Sequence, residues 1–162
     1  MVSLSLLKLL ENNGFGVIDQ NLFWEKMGLD EDGIYITDAG GDQIRGSRPY
    51  MTYQIYSRAD SDVKAYKQLQ DIAEFLKRSF AVCELPSVPP VTNYGYGNVT
   101  IMPPSTIVSA GQDINGRTIY SITGQVYFGE KIQYDKDGYK VTAEDNRELN
   151  TENDKLILTE KK

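Results

Sequence analysis

Histidine is absent from this chain of 162 residues. That removes the commonest general base near neutral pH and the commonest metal ligand. It excludes Ser-His-Asp and Cys-His nucleophile designs. Chemistry through carboxylates, lysine or tyrosine stays open. Cysteine is almost missing as well. Cys83 stands alone, so no disulfide can close within the chain, and a small secreted fold stapled by bridges is excluded. A reducing cytoplasm is the expected folding compartment. No run approaches the ~20 apolar residues of a membrane-spanning helix. The start, MVSLSLLKLLENNG, lacks the basic residues and cleavage site of a signal peptide. There is no cluster of Lys and Arg, and the net charge is −6. Such a chain is a poor counterpart for phosphates, and specific nucleic-acid binding is not expected.

What is present points to a folded domain. Hydrophobic residues make up 40% and charged residues 25%, within the range of globular proteins. A chain of this length buries roughly 68–70% of its unfolded surface. The clearest pattern runs from Arg48 to Phe80. Met51, Tyr53 and Ile55 alternate with Tyr50, Thr52, Gln54 and Tyr56, the period of a half-buried strand, with Pro49 at its entry. The period then changes. Val63, Tyr66, Leu69, Ile72, Ala73 and Leu76 recur at helical spacing. Asp60 or Ser61 can cap this helix, Asp62 lies in its first turn, and Lys77 and Arg78 in its last.

A first helix is expected over residues 3–12, with Ser3 as cap and Leu4, Leu7 and Leu10 on one face, widened by Leu6 and Leu9. Residues 22–27 are ambiguous. Gly33 to Thr37 reads as a strand, and residues 39–48 (AGGDQIRGSR) as a flexible loop. That loop matches neither GxxxxGK[ST] nor a helix-opening GxGxxG, so no phosphate or cofactor site is expected there. Residues 84–97 read as an irregular, proline-rich segment that exposes Tyr94 and Tyr96 on a mobile frame. Residues 98–102 form a short strand, and Ile107 and Val108 continue extended structure. Asn115-Gly116 signals a hairpin before a long strand over 118–128. Ile122 and Val126 mark the core face of that strand, and Gly124 is expected at a bulge. Residues 131–134 and 139–142 flank a further hairpin. The stretch 143–155 is too polar for a core, and Leu156-Ile157-Leu158 is expected as a short strand. The carboxylate clusters at Asp30-Glu31-Asp32, Asp113 and Asp135 lack the spacing of a calcium loop. They read as solvated turns, with no metal, cofactor or catalytic set.

Three blocks carry a family resemblance: Gly33-Ile34-Tyr35-Ile36 leading to Gly40-Gly41; Pro49 to Ser57 with Arg58-Ala59-Asp60 and the helix bearing Tyr66 and Ile72; and Gly111 to Arg117 with Tyr120-Ser121 and the long strand. Over residues 1–129 the chain resembles the tail terminator proteins of long-tailed bacteriophages, including those called minor capsid proteins. The resemblance implies an α+β fold, a mixed and largely antiparallel sheet with two helices packed on one face. Residues 130–162 form a C-terminal hairpin and polar extension beyond it, expected to reach a neighbouring subunit. The implied role is structural and not enzymatic: a homohexameric ring that caps the tail tube, ends its elongation and joins it to the head–neck complex. Its partners would be other copies, the tail tube protein and a neck connector. DNA would pass through an acidic lumen without specific binding. Assembly would take place in the bacterial host cytoplasm, ending in the virion, with no membrane contact. A head-completion or neck ring is the alternative within the virion, and a small ligand-binding domain or monomeric adaptor the alternative outside it. Arg45 and Arg48, flanking the Gly-rich loop, and Tyr94 and Tyr96 are the expected interface residues. The 11 tyrosines among 17 aromatic residues suit an interface protein.

Overall fold

The computed structural model describes residues 2–42, 49–79, 84–129, 131–134, 140–141, 149–152 and 155–158. Helix α1 spans Val2–Asn12. It buries Leu4, Leu6, Leu7 and Leu10, with Leu9 against the flank of the core. The helix starts before Ser3, so Ser3 is not its cap. It is buried, and its Oγ accepts a hydrogen bond from Trp24 Nε1 at 3.0 Å.

The main sheet contains β1 (Leu22–Trp24), β2 (Gly33–Asp42), β3 (Tyr50–Ala59), β6 (Thr100–Ile101), β7 (Val108–Gln112) and β8 (Thr118–Tyr127). Its order is β1-β2-β3-β8-β6, and β7 pairs with the other end of the outer edge of β8. Only β1 and β2 run parallel among these pairs. A second, antiparallel sheet has the order β10-β9-β5-β4, from β4 (Glu84–Leu85), β5 (Tyr94–Gly97), β9 (Lys131–Tyr134) and β10 (Lys140–Val141). The β5–β9 ladder ties residues 131–133 to the body of the chain. Strands β11 (Leu149–Glu152) and β12 (Lys155–Leu158) pair with each other, so the Leu156-Ile157-Leu158 run is a strand.

The long β2–β3–β8 unit follows from the alternation of its residues. Met51, Tyr53 and Ile55 are buried on one face, joined there by Ile34, Ile36, Ile122 and Val126. Strand β2 continues into the expected loop as far as Asp42: a bulge between Asp38 and Gly41 takes up one extra residue, with Gly40 at a φ of 98° and Gly41 paired with Met51. The expected bulge at Gly124 is not there. The β3–β8 register is unbroken, with Gly124 opposite Tyr53. Glycine is needed because a Cβ at this position would sit 2.5 Å from Tyr53 Cζ. The hairpin at Asn115-Gly116 is as expected: Asp113 N donates to Arg117 O at 3.0 Å, and Gly116 takes a φ of 75°.

Helix α2 spans Asp62–Arg78 and is capped by Ser61, whose side chain accepts from Lys64 N. It buries Ala65, Leu69, Ile72, Ala73 and Leu76. Val63 and Tyr66 depart from the expected core face, being 78% and 44% exposed. At 3.6 residues per turn, Val63 points about 140° away from the centre of the buried stripe. Both helices feed the same core cluster as the inward sheet residues, together with Leu85 and Tyr96 from the second sheet and Val88 between their strands. The fold is therefore α+β, a mixed, largely antiparallel sheet with helices on one face. Among the described residues no helix is long and apolar enough to cross a membrane.

Candidate protein–protein interface

The face of the main sheet turned away from the helices is built from the other half of the same alternation. The register aligns Tyr35, Tyr56, Ser121 and Val108 in one row across four strands. Thr37, Gln54 and Thr123 form the next row, then Thr52 beside Gln125, then Asp42, Tyr50, Tyr127 and Thr100. Tyr35 and Tyr56 stack with centroids 4.5 Å apart and planes 6° from parallel. Tyr50 and Tyr127 meet at 5.5 Å. Burial in the stack raises the Tyr35 phenol above its ordinary value, with the neighbouring Tyr56 adding to the effect. Tyr35, Tyr50, Tyr56 and Tyr127 are all half-buried, and Val108 is 53% exposed. The last row holds Asp42, and the residues of the other rows carry no charge. Between Arg58 and Asp42 this surface of an acidic protein is aromatic and hydrogen-bonding.

One end of the face is closed by a charged clamp. Arg58 follows Tyr56 in the alternation and starts toward the open face, yet it is only 6% exposed. Its Nε donates to Glu31 O at 3.0 Å, and its Nη2 donates to Glu31 O at 2.6 Å and to Gly28 O. Its Nη1 lies 3.5 Å from Asp113 Oδ2. Arg117 grips the same loop, donating to Leu29 O at 2.6 Å and Asp30 O at 2.9 Å, with Nε 3.4 Å from Asp32 Oδ1. Lys64 of α2 reaches Asp32 Oδ2 at 2.9 Å. Burial alone would raise the Asp32 carboxyl. The Lys64 hydrogen bond, with the Lys64 and Arg117 charges, outweighs it and holds the group below 3.8. The clusters expected as solvated turns at residues 30–32 and 113–116 are thus two halves of one clamp. The missed signal is physical: most acceptors are backbone carbonyls, which a sequence does not display. With donors spent on fixed carbonyls and their charge set beside Asp113 and Asp32, the guanidinium groups brace the loop. Among the described residues no group of three or more His, Cys, Asp or Glu could hold a metal ion.

On the helix side, a groove of about 840 Å³ lies between α1, β1, the 26–31 loop and residues 88–91. Phe23, Trp24, Met27, Val88 and Val91 line it. Two of its charged groups are already engaged: Lys8 pairs with Glu11 at 2.5 Å, and Glu11 Oε1 accepts from Ile18 N at 2.8 Å.

The expected interface residues separate. Arg45 and Arg48 lie outside the described residues. Tyr94 and Tyr96 sit on strand β5 rather than on a mobile loop, because β4 and β9 pair with it on either side. Tyr96 is 3% exposed, packs against Phe128 at 5.1 Å and belongs to the core. Burial pushes its phenol up, with Tyr94 beside it contributing. It is therefore not an exposed anchor. Tyr94 is half-buried, with Lys131 Nζ 4.6 Å from its ring centroid. No protein-family model matches the chain, and no curated protein matches it.

Proposed function

We propose that this chain is a structural protein of a bacteriophage tail, a ring-forming subunit that caps the tail tube, ends its elongation and offers a platform to the neck. The observation that carries the reading is the open face of the main sheet. On a protein of net charge −6, its rows between Arg58 and Asp42 carry only aromatic, aliphatic and uncharged polar residues. Tyrosine with Thr and Gln around it suits a wet protein–protein contact. The α+β arrangement, with helices on one sheet face, is also the one that the tail-terminator resemblance implies. Other copies, the tube protein and a neck connector are the partners of this reading. DNA crosses the ring without specific contact, and the virion is the final location.

The test is the assembly mass in solution, followed by electron microscopy of the protein added to growing tail tubes. A six-copy mass and a ring seated at tubes of arrested length are the expected results. A strict monomer that leaves tube length unchanged would overturn the reading, and a ring found on the portal side would move the protein to the neck.

A further inference from the structure

We infer that Asn115 is a site of spontaneous deamidation, and that its conversion to an acid loosens the clamp between the 113–117 hairpin and the 26–32 loop. The chemistry is the same in a monomer or a ring. An asparagine followed by glycine is the pair most prone to this reaction, because glycine has no side chain to hinder attack by its amide nitrogen. The sequence holds two such pairs, Asn13-Gly14 and Asn115-Gly116. Both residues of the second are exposed at the hairpin tip, and a Cβ built on Gly116 would meet nothing within 4 Å. Gly116 N donates to Asp113 O at 3.0 Å, so the reaction runs when this bond opens. Asn115 differs from Asn13 in what its amide holds. Asn115 Nδ2 donates to Leu29 O at 3.2 Å and lies 3.4 Å from Asp30 Oδ1, acceptors 86 and 85 residues away. Asn13 Nδ2 donates to Leu9 O at 2.7 Å, within the end of its own helix.

Solvent base takes the Gly116 amide proton, and the nitrogen attacks Asn115 Cγ. The N–Cγ bond forms, the Cγ–Nδ2 bond breaks, and Nδ2 leaves as ammonia with a proton returned by solvent. Water then opens the cyclic imide at either of its carbonyls. One opening gives aspartate. The other gives isoaspartate, whose main chain runs through the former side chain and is longer by one carbon. Water is consumed and ammonia released, and nothing is oxidised or reduced. Either product undoes a link. Aspartate sets an acceptor where the amide donated, against the Leu29 carbonyl and the Asp30 carboxylate. The surrounding side chains, Asp30, Glu31, Asp32, Asp60 and Asp113 against Arg58, Lys64 and Arg117, are already in acidic excess. Isoaspartate lengthens the turn itself. Asp113 Oδ1 accepts from Asn115 N and Arg117 N, each at 2.9 Å, and Asp113 N donates to Arg117 O at 3.0 Å. An extra main-chain carbon inside this closed set displaces Arg117, and with it the grip on Leu29 O and Asp30 O.

The full chain is incubated warm at mildly alkaline pH beside a free peptide of residues 111–118, the clock for the unconstrained reaction. Peptide mass mapping locates the amide-to-acid change, and an isoaspartate-specific methylation assay tells the two products apart. Amide hydrogen exchange then compares converted and fresh chains. Asn115 is expected to convert in the folded chain, more slowly than in the peptide, because opening of the turn comes first. In the converted fraction the 26–32 segment should exchange at least roughly tenfold faster, with the buried part of α2 exchanging as before. Conversion of Asn13 should leave the 26–32 exchange where it was. Asn115→Ser has no amide to lose, and ageing should not change the exchange of its loop. An Asn115 that stays an amide after the peptide is fully converted would overturn the proposal. So would a converted fraction whose loop is as protected as in the fresh chain, or loosening that follows Asn13 conversion or arises in aged Asn115→Ser.

Discussion

Tyr53 and Tyr56 lie on one strand, and the sheet gives them opposite fates. Tyr53 is fully buried beneath the helices, against Gly124 on the neighbouring strand. Tyr56 lies on the far face, half-buried, stacked on Tyr35. One side chain type therefore fills a core on one face and lies half-buried on the other. The deciding variable is the parity of its position, because side chains alternate across a strand. Residue type alone does not separate the two environments in this protein, and strand parity does.

Arg58 breaks the parity rule and gives the largest expected effect. It shares parity with Gln54 and Tyr56, yet it is sealed by the 28–31 carbonyls and Asp113. Removing one partner of a buried ion pair strands the other, so Arg58→Ala should cost about 3–5 kcal/mol. Arg58→Lys should recover only part of this, because an ammonium cannot reproduce the guanidinium fork. Denaturant melts of both variants measure the difference. A loss below ~1 kcal/mol for Arg58→Ala would mean that the clamp is dispensable and that Arg58 belongs with the open face after all.

Neighbouring positions test the two faces directly. Ile55 is fully buried and Ile55→Ala should cost about 2–5 kcal/mol through lost burial and a cavity. Gln54→Ala, one residue away, should change stability by no more than about 0.5 kcal/mol. The same melts check both. Equal losses would show that something already covers the open face within the monomer.

Much of this division was legible in residue order. The period of two in β3 and β8 separates Ile55 and Ile122 from Gln54 and Thr123, and the period of α2 finds Leu69, Ile72 and Leu76. The second sheet is harder to read. Tyr94 and Tyr96 lie between proline-rich and glycine-rich stretches, which suggests an exposed loop. Their pairing with β9 comes from residues more than thirty positions later, and no local pattern announces a pairing at that range. The clamp was hidden for a related reason, since Arg58 and Arg117 are gathered by tertiary contact onto carbonyls. Val63 and Tyr66 fit the helical repeat of α2 only loosely. The buried stripe is narrower, and α2 leaves them outside it.

Gly124→Ala probes the inward face at its tightest point. The added methyl would meet the Tyr53 ring at 2.5–3.0 Å, and the ring is enclosed by the core. Overpacking of this kind should cost about 1–3 kcal/mol. A melt unchanged by the substitution would show that the ring has room to move.

The clamp should also leave a mark on the acid limb of stability. The Asp32 carboxyl is held below its ordinary value of 3.8 in the folded chain. A lowered folded value favours the native state whenever the carboxylate is ionised. Its contribution is complete above 3.8 and fades as the pH falls through the folded value. Between about pH 5 and pH 2.5 the Asp32→Asn variant should therefore lose less stability than the wild type. Parallel melts across that range decide it, and equal slopes would show that Lys64 and Arg117 do not favour the ionised form.

The smallest expected change returns to Tyr53. Its hydroxyl is buried without a hydrogen-bond partner among the described residues, and burial raises its phenol well above the ordinary value. An unsatisfied buried hydroxyl carries a desolvation cost of about 1–3 kcal/mol. Tyr53→Phe removes that cost but gives up the packing of one oxygen against Gly124. The balance should lie between no change and about 1 kcal/mol of added stability. A clear loss would reveal a partner for the hydroxyl. Tyr53→Phe combined with Gly124→Ala sharpens the point. These two positions touch, so their effects should not add. The double variant should lose less than Gly124→Ala alone, because the hydroxyl nearest the new methyl is gone. If the double variant loses as much as Gly124→Ala alone, the strain comes from the ring rather than its oxygen. The inward face would then be limited by the width of the aromatic side chain, a constraint that Tyr56 on the open face does not feel.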